Sequence, residues 1–162
     1  MALTQAQRAL VRTAIQADGA ANALYTSGQT GALMDWCNAK QTPTVKAWRT
    51  AYSGDELYVA HKPVEYIARS AGERQAFDLM VNRRIDPTKV AIRKGIEDIF
   101  SGASNSTSRA AILNDMQENA TRAEVAIGGP TATTAVDAIS GLNRNFVGSI
   151  TIDDVRAIVS GA

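Results

Sequence analysis

Asp86-Pro87-Thr88-Lys89-Val90-Ala91-Ile92-Arg93-Lys94-Gly95-Ile96-Glu97-Asp98-Ile99-Phe100, a polar turn, and a second apolar run ending at Ile127 together read as two helices. Asp86 supplies an acceptor for the free amides of a first turn, and Pro87 suits the first helical position, where its missing N–H costs nothing. Val90, Ile92, Ile96, Ile99 and Phe100 then recur at three- and four-residue steps, with Lys89, Arg93, Lys94, Glu97 and Asp98 on the other side. Gly102 ends that helix and Ser104-Asn105-Ser106-Thr107 turns the chain. A second helix is expected from about Ser108 to the stop at Gly128-Gly129-Pro130, with Ile112, Leu113, Met116, Ala120, Ala123 and Ile127 as its buried face. The expected product is an antiparallel helical hairpin over about 86–127.

Capping signals outside this stretch extend the helical reading. Thr4 and Gln7 form a capping box ahead of Leu10, Val11, Ala14 and Ile15, and that helix stops near Asp18-Gly19. A short helix is expected over Ala20 to Tyr25, and Thr30 is expected to cap another that carries Leu33, Met34, Trp36 and Cys37. Thr42-Pro43-Thr44 extends the chain, so Val45 to Tyr52 reads as a strand or an ordered loop. Ser53 with Glu56 and Ser70 with Glu73 are further boxes, the first introducing Leu57, Tyr58 and Ala60 before Pro63 restarts the helix ahead of Val64, Tyr66 and Ile67. The second introduces Ala76, Phe77, Met80 and Val81.

The C-terminal part reads differently. Gly129-Pro130-Thr131-Ala132-Thr133-Thr134 has the composition of a mobile linker, Phe146 to Ile150 suits a short extended segment, and Thr151 with Asp154 caps a last helix through Val155, Ile158 and Val159. The expectation is a mainly α fold, with one helical-bundle domain over 1–128 built around the hairpin. Residues 129–162 would form a linker and short extended arm that docks on the chain itself or on a neighbour, with Phe146, Ile150 and Val155 as its contacts.

Composition bounds the function classes. The 17 Lys and Arg nearly balance 16 Asp and Glu, so a formal charge of +1 supplies no global field toward nucleic acid or an anionic membrane, and partners must be recognised locally. Cys37 has no second cysteine for an internal disulfide or thiolate site, which suits a reducing cytosol. Neither a signal-peptide core near the start nor a run of roughly 20 apolar residues is present, so a soluble chain made in the cytoplasm is expected, without membrane contact.

Chemistry is sparse. His61 is the single histidine, so neither a histidine metal cluster nor a catalytic triad with spare ligands assembles, and Cys37 beside Trp36 suits a packed thiol. Glu97-Asp98 and Asp153-Asp154 are sequence neighbours that diverge on a helix, and Asp154 already caps. No catalytic, cofactor or metal site is expected, and the chain does not read as an enzyme. Arg83, Arg84, Lys89, Arg93 and Lys94 are the densest basic stretch. They suit a solvated helix face, with Glu97 as partner of Arg93, or a contact to an acidic protein or DNA. Trp48-Arg49 suits either core or an interface anchor.

Several motifs together resemble a family of small proteins encoded in the virion-morphogenesis modules of tailed bacteriophages. They are Ala2-Leu3-Thr4 with Ala6-Gln7-Arg8; Trp48-Arg49-Thr50; Ile85-Asp86-Pro87 with Lys89, Arg93, Gly95, Ile96 and Gly102; Arg109-Ala110-Ala111; Ala120-Thr121 with Ala123-Glu124; and Gly148, Ile150-Thr151 and Asp154-Val155. The pattern has a basic pair before Ala-Thr, where this chain has Glu118-Asn119. The resemblance implies a virion structural protein of the neck or tail. The leading expectation is a head-to-tail connector subunit, an adaptor whose ring lies below the portal, touching portal, neck or tail proteins and, non-specifically, passing DNA. The alternatives are a tail component, a tail-assembly chaperone, or a nucleic-acid-binding module that uses the Arg83 to Lys94 cluster.

Overall fold

Five helices begin at a reciprocal capping box in the computed structural model, which describes residues 2–129, 131–146 and 148–161. In each box the Ser or Thr hydroxyl accepts an amide three residues on, and the side chain there reaches back to the cap amide. Four of the five are the pairs marked in the sequence. The fifth, Thr121 with Glu124, interrupts the expected second helix of the hairpin.

Among the described residues the architecture is mainly α, 58% helical with ten helices and a small four-stranded sheet. The contacts divide it into two units rather than one bundle. Unit 1 comprises 1–45, 119–130 and 144–162, and unit 2 comprises 46–118 and 131–143. The boundary expected at 128/129 therefore falls elsewhere, because the C-terminal region is shared between the two units.

Unit 1 packs α1 (Gln5–Ala17), α2 (Gly19–Thr26), α3 (Thr30–Asn38), α9 (Arg122–Ile127) and α10 (Ile152–Ser160). Asp18, which stops α1, also caps α2 by accepting from the Ala21 amide at 2.9 Å. Thr30 opens α3 as a helical residue instead of capping it, since Gln29 holds the cap position. The core is mostly aliphatic: Leu3, Val11, Ile15, Leu33, Ala123, Ile127, Ile150, Val155 and Ile158 are buried together with Phe146.

Unit 2 contains α4 (Gly54–Ala60), α5 (Pro63–Ile67), α6 (Ala71–Val81), α7 (Val90–Ile99) and α8 (Ser106–Asp115). Its strands β1 (Lys46–Trp48), β2 (Gln117–Asn119), β3 (Thr131–Thr133) and β4 (Ser140–Leu142) are ordered β2-β1-β4-β3. The last residue of β2 already belongs to unit 1. β1 runs parallel to β4, with Ala47 opposite Leu142, and β3 runs antiparallel to β4, with Ala132 opposite Gly141. Val45 to Tyr52 thus contains a strand, which lies between Gln117–Asn119 and Ser140–Leu142. Thr131 to Thr133, expected as linker, is an edge strand.

The hairpin forms in part. α7 and α8 pack on each other, but α7 starts at Val90 with Lys89 as its cap. Asp86 instead accepts the Thr88 amide at 3.0 Å and the Thr88 hydroxyl at 2.6 Å, a local turn that delays the helix. The first arm ends at Ile99 with Phe100 as its cap, two residues before the expected Gly102, which at φ +87° opens the following turn. α8 ends at Asp115; the chain then extends through β2, and α9 belongs to unit 1.

Candidate functional site

Trp48 lies at the centre of unit 2, fully buried. Its indole crosses β4 over Gly141, where a Cβ would stand 2.9 Å from the ring, and donates to the Ala132 carbonyl at 3.1 Å. The Arg93 guanidinium sits 4.6 Å from the ring centroid and donates to the Pro87 carbonyl at 2.5 Å, so a residue only 3% exposed keeps a hydrogen bond. Trp48, expected as core or as an interface anchor, and Arg93, expected on a basic face, are both buried. Arg93 is turned away from Lys89, which is exposed.

The rest of the basic stretch is at the surface and largely compensated. Lys89 lies 3.7 Å from Asp86 and Lys94 lies 2.9 Å from Asp98. Arg83 and Arg84 are exposed and line an open cleft of about 520 Å³ with Arg49, Asp55 and Glu56. Arg49 is not a free anchor: it pairs with Glu56 at 2.6 Å and stacks on Tyr52. The Ser53 amide and the Arg49 guanidinium pull the Glu56 carboxyl down to about 2, so it stays anionic at neutral pH. Alternating signs make this cleft a poor continuous track for phosphates.

Phe146, Ile150 and Val155, expected as contacts of an arm docked on the chain itself or on a neighbour, are buried in the core of unit 1. Asn38 clamps the segment through both amide atoms, donating to the Ile150 carbonyl at 2.9 Å and accepting its amide at 2.8 Å. Asp154 accepts the Leu3 amide at 2.9 Å. Burial works to raise the Asp154 pKa, but the Leu3 amide and Thr151 outweigh it and hold the carboxyl below its ordinary range.

A surface that sequence periodicity did not find lies on α4 and α5. Tyr58, Val59, Val64 and Ile67 are between 62% and 81% exposed. Beneath them His61, Tyr66, Phe77 and Phe100 form a ring cluster, and His61 donates through Nδ1 to the Tyr58 carbonyl. Glu65 accepts the Ser108 amide at 2.8 Å in the first turn of α8, and the Lys62 amide donates to the Ser108 hydroxyl at 2.8 Å. The backbone of this ridge is therefore held from below while its outer side chains meet solvent. Apolar residues occupy both faces of these short helices, so spacing alone could not sort them: Leu57 is buried and its neighbour Tyr58 is not. Four large apolar side chains exposed on two consecutive short helices are the candidate interaction surface of unit 2.

The remaining reactive side chains are packed. Burial pushes the Cys37 thiol up to about 11, against the opposing charge of Arg122, so it is not a thiolate at neutral pH. Among the described residues no helix is long and apolar enough to cross a membrane. No family model, no curated protein and no solved structure matches this chain.

Proposed function

We propose that the protein is a structural subunit of a tailed-bacteriophage virion, a head-to-tail connector that forms a ring below the portal and contacts portal, neck or tail proteins. The observation that carries the reading is the exposed ridge of Tyr58, Val59, Val64 and Ile67 on a backbone anchored from below. A ring needs a heterologous contact repeated around its axis, and a rigid apolar ridge of about four large side chains suits one side of such a contact. The near balance of charge suits close packing of identical copies. Arg83 and Arg84 offer a local, salt-sensitive contact to passing DNA.

Mass spectrometry of purified particles, with copy number scaled to the portal and major capsid proteins, tests the assignment. A copy number equal to the portal's supports the connector. A number repeated along the tail supports a tail component, and absence from particles supports an assembly chaperone. Replacing Val59, Val64 and Ile67 with Ser or Lys should abolish self-association in light scattering and change folding stability by no more than about 0.5 kcal/mol per site, because exposed positions contribute little to the fold. Unchanged oligomers would remove the ridge from the interface.

A further inference from the structure

Unit 1 holds a second tryptophan-arginine stack, and this one borders a cavity. The Arg122 guanidinium lies 5.0 Å from the Trp36 ring centroid, beside a cavity of about 340 Å³ that both residues line together with Val125, Ala126, Gln41 and Asp18. The arginine backbone is fixed, its amide donating to the Ala39 carbonyl at 2.9 Å immediately after the Thr121 cap. Its side chain makes a single long hydrogen bond, from Nη1 to the Trp36 carbonyl at 3.4 Å. Among the described residues no carboxylate forms an ion pair with it, in contrast to Arg109, which meets Asp137 at 2.6 Å, and Arg144, which meets Glu124 at 3.1 Å.

We infer that this cavity binds a carboxylate on a small apolar stem. A guanidinium presents two parallel N–H groups that match the two oxygens of a carboxylate, and the aromatic face behind it holds the fork in place before a ligand arrives. Val125 and Ala126 provide the apolar wall for the stem. The volume lies at the low end for ligand sites, which selects one short acid or one residue of a peptide rather than a larger molecule. Asp18 lies on the same lining, and one of its oxygens is engaged by the Ala21 amide, so it sharpens the preference for a single negative charge over a dianion such as phosphate.

The free carboxylate has two sources, a small-molecule acid or the C-terminal residue of another chain, and one titration separates them. In the full-length, ¹⁵N-labelled protein the Arg122 Nε–H and Trp36 Nε1–H resonances are followed during addition of 4-methylpentanoate, of 3-methylbutylammonium, and of acetylated alanyl-alanyl-leucine as free acid and as amide. The expected result is saturable shifts of both resonances with the acids and none with the ammonium or the amide. Tighter binding of the peptide acid than of 4-methylpentanoate assigns the site to a chain end; equal or weaker binding assigns it to a small acid. Arg122→Gln should weaken the acid at least about tenfold, the loss expected for one charge-assisted pair, with Arg122→Lys intermediate. Saturation by the ammonium, absence of saturation by either acid, or an affinity unchanged in Arg122→Gln overturns the inference. The acid-against-ammonium comparison needs no variant and so does not depend on how well Arg122→Gln folds.

Discussion

The two units each stack one arginine on one tryptophan, and the surroundings give the two stacks different uses. In unit 2 the pair is closed off from solvent, although Arg93 also borders a small cavity of about 200 Å³: Trp48 donates to Ala132, Arg93 donates to Pro87, and Gly141 makes room for the ring. In unit 1 the pair of Trp36 and Arg122 opens on a cavity and most guanidinium donors stay unused. The same two residue types are thus structural where both are buried, and available for recognition where both are half-buried beside a cavity. The availability comes from the surroundings, not from the presence of Trp and Arg.

The largest effect should come from breaking the closed stack. Trp48→Ala removes a fully buried indole and leaves Arg93 without its aromatic face, and is expected to cost about 3–5 kcal/mol in denaturant unfolding. Gly141→Ala attacks the same stack from the other side by placing a Cβ 2.9 Å from the ring and 2.8 Å from Gln117 Nε2, an overpacking expected to cost about 1–3 kcal/mol in the same assay. The open stack should tolerate more. Trp36→Ala is expected to cost about 1 kcal/mol, the scale of a partly exposed side chain, while removing the shift response to 4-methylpentanoate. If Trp36→Ala destabilised the protein as much as Trp48→Ala, the distinction between the two stacks would fail.

Acidification should affect both units in the same window, and is the weakest discriminator. The Arg109 guanidinium holds the Asp137 carboxyl below its ordinary range, and the Leu3 amide and Thr151 do the same for Asp154 against its burial. Depressed folded-state values mean that the unfolded chain binds more protons in this range, so stability rises with pH there. The contribution is fully present above the ordinary carboxylate values of about 4 and is lost as pH falls through the depressed ones. Melting temperatures measured by circular dichroism should therefore be flat above about pH 5 and fall steadily below about pH 4. A maximum below pH 4 would contradict the carboxylate pairing in both units.

Local signals in the sequence were readable because they act over three or four residues. The Thr4, Ser53, Ser70 and Thr151 boxes each opened the helix they announced. The break between α8 and α9 was hidden for a related reason. Met116, Ala120 and Ala123 continue the buried spacing of Ile112, yet Met116 packs in unit 2 and Ala120 and Ala123 lie in unit 1, so one helical period spans two cores. The Thr121–Glu124 box was the available clue. Strands β3 and β4 have three residues each and no alternating apolar pattern, and only their pairing with each other and with β1 defines them. The ridge and the open stack depend on which side of a short helix meets a neighbour, which is a tertiary property.

The hydrogen bond from the Leu3 amide to Asp154 links residues 151 positions apart. On a ribosome α1 to α3 emerge well before their partners: α9 follows only after 46–118 has been made, and α10 only after 131–143 as well. At about 5–20 residues per second, Leu3 waits on the order of ten seconds for Asp154. The surfaces of α1 and α3 that pack on α10 stay uncovered throughout that interval, so a nascent chain of this topology presents apolar side chains until α10 emerges.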